Sequence, residues 1–243
     1  MQKKQKQLEN KDDESLLSHL EALRTTVIHC LMSMCVVLPF ALYLSPKLLN
    51  FLTKILSEKN NITLNYFSPM EVFIIQLKLA LLISLIVASP YIAKKIWDFL
   101  LPALYDNEKK FIKRVVILSS LLFIIGSLFC LFVILPFIIN FGVSFSNQYI
   151  KATFNITNVI NLCIGLSAVF GLMFQIPLVV NFLIKFDIID YNDISDKRPY
   201  VVIVLLIISA FLTPPDIVSQ ILLAIPTYLL FESGLLFSRK YKK

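Results

Sequence analysis

The chain has 243 residues, of which 57% are hydrophobic and only 16% charged, with a formal net charge of +7. Soluble domains carry about a quarter charged residues, and one of this length has no interior large enough for so much apolar surface. The apolar residues come in blocks of about 20, which makes the bilayer the expected solvent and one helical bundle the expected architecture.

Residues 1–14 are polar and mixed in charge, and no cleavable signal peptide is expected. The first apolar block, 25–44, is of span length and lacks a small-residue cleavage motif, so it reads as a retained helix. Ser18-His19-Leu20-Glu21 has capping-box spacing, which predicts a helix start in an amphipathic stretch ahead of that span. The second block, 70–92, opens on Ser68-Pro69-Met70-Glu71: Ser as N-cap, Pro at the first helical position and Glu reaching back. Further blocks cover 113–140, 157–184, 200–212 and 217–236, and Thr213-Pro214-Pro215-Asp216 repeats the capping pattern before the last. The fifth block is 13 residues, about 20 Å of helix, against a hydrocarbon core of about 30 Å. It should thin the bilayer or tilt its neighbours, with a re-entrant pair as the alternative. The organisation expected is a polar tail over 1–15, a six-helix membrane domain over 16–236 and a basic tail over 237–243.

Lys and Arg set the orientation. Lys47, Lys54, Lys59 and Lys151 lie in the loops on one side, Lys78 lies within a block, and the rest of the 23 fall on the other side. Both termini are therefore expected in the cytoplasm.

Few polar side chains fall inside the blocks. Lys78 is about two turns into the second and reads equally as a snorkelling lysine or a functional one. Gln175 is deep in the fourth, beside Pro177; it can be glue between helices or a docking point for a partner helix. Glu232 is expected to pair with Arg239 or Lys240. Taken alone, Glu108 beside Lys109 and Lys110 reads as a solvated ion pair. The four cysteines, Cys30, Cys35, Cys130 and Cys163, lie in apolar blocks without metal spacing and read as packing residues. His19 and His29 lack further ligands at metal spacing, and there is no HExxH, GxSxG or phosphate-cradling loop. No enzyme activity, cofactor, metal site or nucleic-acid partner is expected.

Four stretches, in order, resemble the TatC family. They are Ser18-His19-Leu20-Glu21-Ala22-Leu23-Arg24; Ser68-Pro69-Met70-Glu71-Val72-Phe73 followed by Lys78; the loop from Trp97 through Phe99, Pro102 and Leu104 to Glu108; and Lys197-Arg198-Pro199-Tyr200 through Thr213-Pro214-Pro215-Asp216, Gln220 and Pro226 to Glu232. The resemblance implies the core of a twin-arginine translocase, with six helices in a concave, glove-like bundle whose fifth and sixth are short. It implies recognition of twin-arginine signal peptides at the cytoplasmic face of a bacterial inner membrane, or an organelle membrane. Folded cargo would be moved with single-span TatA/TatB-type partners, driven by the proton motive force, within a larger complex holding several copies.

Guanidinium groups suit carboxylates, so the resemblance makes Glu108 the first choice for an arginine partner. Phe99 and Leu104 would shape the patch, and Leu20, Glu21 and Arg24 would contribute from the first helix. Gln175, with Phe174 and Pro177, would line a partner-docking face. Ser68, Pro69, Glu71, Pro214, Pro215, Asp216 and Gln220 would serve structure and translocation. Two departures stand out. Ala22 occupies the usual Glu position, with Glu21 one residue earlier and about 100° around the helix. Gln175 stands where the family often has Glu, which keeps hydrogen bonding without charge. The rival readings are a small-solute transporter, which would need broken helices and midplane charges in matched halves, and a non-transporting scaffold.

Overall fold

A computed structural model describes residues 2–60, 63–100, 109–145, 153–212 and 217–241. The regular structure of the described residues is helical apart from two three-residue strands. Helix α1 spans Gln2–Asn60. Residues 2–17 are dominated by Gln, Lys, Glu and Leu, good helix formers, and contain neither Gly nor Pro. The helix therefore begins well before Ser18, which lies inside it and is not its cap. Nor does α1 stop at Leu44. Pro46 cannot donate to the Leu42 carbonyl, but the Ser45 hydroxyl does so at 3.0 Å, and the helix continues. Its span is nearly all surface, with Val36, Phe40 and Tyr43 exposed.

Strand β1 (Thr63–Asn65) leads to α2, Pro69–Leu100. The Ser68 hydroxyl accepts from the Met70 N–H at 3.4 Å, and Glu71 reaches back to the Phe67 N–H at 3.1 Å. The cap forms with Glu71 meeting the residue before Ser68. Helix α2 continues past Ile92, so Lys94, Lys95 and Trp97 are helical.

Helix α3 (Lys109–Phe129) passes through a π turn, Cys130–Ile134, into α4, Leu135–Val143. The Leu135 N–H bonds the Cys130 carbonyl. This wider turn precedes Pro136, which has no N–H to offer. Strand β2 (Thr153–Asn155) pairs in parallel with β1, Leu64 opposite Phe154. Asn155 then caps α5 (Ile156–Met173), accepting from the Thr157 N–H at 2.6 Å and the Asn158 N–H at 3.4 Å. Pro177 breaks the fourth block, and α6 starts at Ile176 and ends at Lys185. Asp187 closes it in the left-handed region, φ 54°, with the Ile188 N–H on the Leu183 carbonyl and the Asp187 N–H on the Ile184 carbonyl, a Schellman end.

A short α7 (Tyr191–Asp196), α8 (Arg198–Leu212) and α9 (Ile217–Ser238) complete the chain, followed by a 3-10 turn at Arg239–Tyr241. Five helical stretches are long and apolar enough to cross a membrane: Leu20–Leu56, Pro69–Leu100, Lys113–Val143, Ile156–Lys185 and Gln220–Ser238. The apolar helix Arg198–Phe211 is shorter than these. Among these stretches Arg198–Phe211 and Gln220–Ser238 are the shortest, as expected, although α9 still reaches span length.

The main core joins Leu52 and Leu56 of α1, Ile75 and Leu79 of α2, Leu135 of α4 and Ile160 of α5. Glycines let α3 and α5 approach closely. A Cβ on Gly126 would lie 2.6 Å from the Phe170 carbonyl oxygen, and one on Gly171 2.6 Å from the Phe123 ring. Small residues at such contacts are how membrane helices gain packing without a hydrophobic drive. The four cysteines are free thiols, Cys130 and Cys163 fully buried.

Candidate functional site

Leu20, Glu21 and Arg24 lie on an exposed stretch of α1. The Glu21 and Ala22 carbonyls are bridged by the Thr25 and Thr26 hydroxyls at 2.8 Å each. Phe99 lies half-buried in the last turn of α2, next to Trp97. Trp97 anchors that turn: it is buried with Ala93, Val115 and Leu178, and its ring stands edge-on to Phe182 at 5.2 Å. Helices α1 and α2 are neighbours, with Ala41 packed among Ala80 and Ile83 and Leu52 near Ile75. That pairing is antiparallel, so Leu20–Arg24 and Phe99 share one end of the bundle. Leu104 and Glu108 lie outside the described residues, as do Pro214, Pro215 and Asp216.

Gln175 occupies the break between α5 and α6. Its carbonyl oxygen accepts from the Ser119 hydroxyl at 2.6 Å. Its amide donates to the Ser119 carbonyl at 3.0 Å and to the Gly171 carbonyl at 3.3 Å. The side chain therefore ties α3 to α5, which is the glue reading. It also borders an open cavity of about 210 Å³, walled by Leu85, Ser89 and Ile92 on one side and Ala168 and Leu172 on the other. The residue that ties the helices together thus also reaches the rim of the cavity. The Ser89 hydroxyl is buried there without a hydrogen-bond partner. Phe174 stacks at a tilt against Phe129, centroids 5.8 Å apart. Pro177 is buried, its Cα 2.8 Å from where a Cβ on Gly234 would stand. It packs α6 on α9 and does not face the cavity.

Gln220 donates to the Leu206 carbonyl at 2.9 Å, tying α9 to α8. It lines a shallow apolar hollow of about 290 Å³ with Ile203, Ile207 and Phe211. Lys78 donates to Asn161 Oδ1 at 2.8 Å, so it is tied to a neighbouring helix. Glu232 pairs with Arg198 at 2.8 Å, contrary to the expected pairing with Arg239 or Lys240; an Arg on the adjacent helix offers two aligned donors at once. Sequence reading missed Ser119 and Asn161, because a lone polar residue in an apolar block has no partner until the helices are packed.

The family described as Sec-independent protein translocase protein (TatC) matches residues 18–226. The chain is 32% identical over 235 residues to the Sec-independent protein translocase protein TatC of Escherichia coli K12, covering 95% of this chain and 90% of that one. It is 32% identical over 242 residues to the TatC of Haemophilus influenzae, covering 95% and 91%. A crystal structure of the twin-arginine translocase receptor TatC superimposes with a TM-score of 0.82 at 28% identity, over 92% of this chain and 99% of that chain. A second, in the detergent DDM, gives 0.83 over 90% and 99%. Family, relatives and fold agree over nearly the whole length: the chain belongs to the TatC family and is a multi-pass membrane protein with a role in Sec-independent protein translocation.

Proposed function

We propose that this protein is the signal-peptide receptor of a twin-arginine translocase, holding the paired arginines of a signal peptide at Glu108. The observation that carries the reading is the match over 99% of a chain described as the twin-arginine translocase receptor, together with the family loop from Trp97 to Glu108. Leu20, Glu21 and Arg24 gather at the same end of the bundle as Phe99, where that loop begins. They supply an apolar contact and further charge to the same peptide, and the family loop assigns Leu104 to it along with Glu108. Glu21 stands in for the missing acid at Ala22, about 100° away around the helix.

Single-span TatA/TatB-type partners dock at the Gln175 end of the cavity between α2 and α5, beside Phe174, and along the hollow at Gln220. Pro177 holds α6 in place there. The cap formed by Ser68, Pro69 and Glu71 holds α2 at the height this requires, and Pro214, Pro215 and Asp216 are assigned to translocation by the family motif. The short α8 thins the bilayer beside the site. The termini face the cytoplasm of a bacterial inner membrane, several copies act together, and the proton motive force drives transport.

The test is photo-crosslinking from positions flanking Glu108 to a radiolabelled twin-arginine signal peptide in native membranes, with a twin-lysine peptide as control. Crosslinks to the arginine form alone are expected. Equal labelling of both peptides by a folded protein refutes the receptor assignment.

A further inference from the structure

Lys78 sits within the apolar part of α2, ten residues along a helix that begins at Pro69, about 13 Å from its first residue. An ammonium group at such depth is costly unless it is partnered. One of its three N–H groups is spent on Asn161 Oδ1. Among the described residues no carboxylate forms an ion pair with it. A charge held beside a neutral amide, with donors left over, is the arrangement that receives an anion.

Beneath this pair runs a trough. Helices α2 and α5 both start from the paired strands β1 and β2 and descend side by side. The offset that puts Lys78 against Asn161 also sets Leu85 against Ala168 and Ser89 against Leu172, and these four line the cavity of about 210 Å³. Between the polar pair and the cavity lies Gly165, where an added Cβ would have nothing within 4 Å. From Lys78 to Ser89 is about 16 Å of helix, close to half of a hydrocarbon core of about 30 Å. The trough is thus as long as one leaflet's chains. A single chain of methylenes fits inside a space of this volume, whereas an α-helix, about 10–12 Å across with its side chains, can only lie against its open side.

We propose that this trough binds an anionic phospholipid, its phosphate on Lys78 and Asn161 and one acyl chain lying past Gly165 into the cavity. The lipid enters this cavity from the end opposite Gln175, where the partner helices are assigned, and its site stands without the signal-peptide and partner assignments above. It draws a headgroup inward on the side where α2 begins, which adds to local thinning of the membrane.

The experiment is native mass spectrometry of the full chain in detergent, titrated with phosphatidylglycerol, with phosphatidylcholine and glycerol 3-phosphate as controls. Retention of phosphatidylglycerol over phosphatidylcholine is expected, without competition from glycerol 3-phosphate. Lys78→Gln should weaken retention by about tenfold. Gly165→Leu, which fills the trough and keeps the charge, should abolish it, and Ala168→Leu serves the same purpose if that variant does not fold. Unchanged retention in Lys78→Gln and in the folded trough variant overturns the proposal. So does competition by glycerol 3-phosphate alone, or a photo-crosslinker at Gly165 that captures a protein helix in native membranes and no lipid.

Discussion

The Arg198 guanidinium holds the Glu232 carboxylate by two hydrogen bonds, Nε to Oε2 at 3.1 Å and Nη2 to Oε1 at 2.8 Å. Helix α8 packs mainly on α9, and α9 on α6, so this pair fastens the first turn of the short helix to the bundle. Both side chains are about a third exposed, so solvent screens the attraction. Glu232→Gln is expected to cost about 0.5–1 kcal/mol, and Arg198→Lys nearly as much because the two-pronged geometry is lost. Thermal unfolding in detergent measures both.

The close approach of α3 and α5 predicts an ordered series of glycine variants. Gly126→Ala puts a methyl group 2.6 Å from the Phe170 carbonyl oxygen, which is backbone and cannot turn aside. Gly171→Ala meets the edge of the Phe123 ring, which has some freedom. Both should destabilise by about 1–3 kcal/mol, Gly126→Ala more. Gly165→Ala, facing open space, should be nearly neutral. Equal melting temperatures across the three would contradict this packing.

Gln175 and Ser119 exchange two hydrogen bonds in opposite directions. The Ser119 carbonyl bond survives Ser119→Ala, whereas the hydroxyl bond does not. A double-mutant cycle of Gln175→Ala and Ser119→Ala should therefore report a coupling of about 0.5–2 kcal/mol. Additive effects would show that the pair contributes nothing beyond separate packing.

Asn155 supplies the N-cap of α5 and the last residue of β2. Asn155→Ala should cost about 1 kcal/mol, while Asn155→Asp, which still accepts from both N–H groups, should cost little. The comparison is read from the unfolding midpoint.

At the proposed receptor end, Glu108→Gln removes a charge and keeps the side chain's size. Binding of a twin-arginine peptide should fall by about tenfold or more, with the melting temperature unchanged. Undiminished binding would move the arginine site elsewhere.

The membrane spans, the short fifth segment, the cap at Ser68 and Glu71 and the family were all legible in the sequence. Each depends on local pattern: block length, spacing of a few residues, or motifs in order. Gln175 and Lys78 could be singled out because a polar group inside an apolar block is costly wherever it sits. Their partners could not. Ser119 lies 56 positions from Gln175 and Asn161 lies 83 from Lys78, and only helix packing brings such residues together. The same holds for Glu232, whose sequence neighbours Arg239 and Lys240 were the obvious candidates until α8 placed Arg198 against it. The length of α1 was misjudged at both ends. Capping residues mark only possible starts, and good helix formers upstream together with the Ser45 hydroxyl behind Pro46 carried the helix through. Hydrophobicity and propensity act along the chain and so determined that this is a polytopic helical membrane protein of the TatC family. Hydrogen bonds and close glycine contacts act across it, and only the tertiary structure decided which polar groups are paired and where a trough stays open.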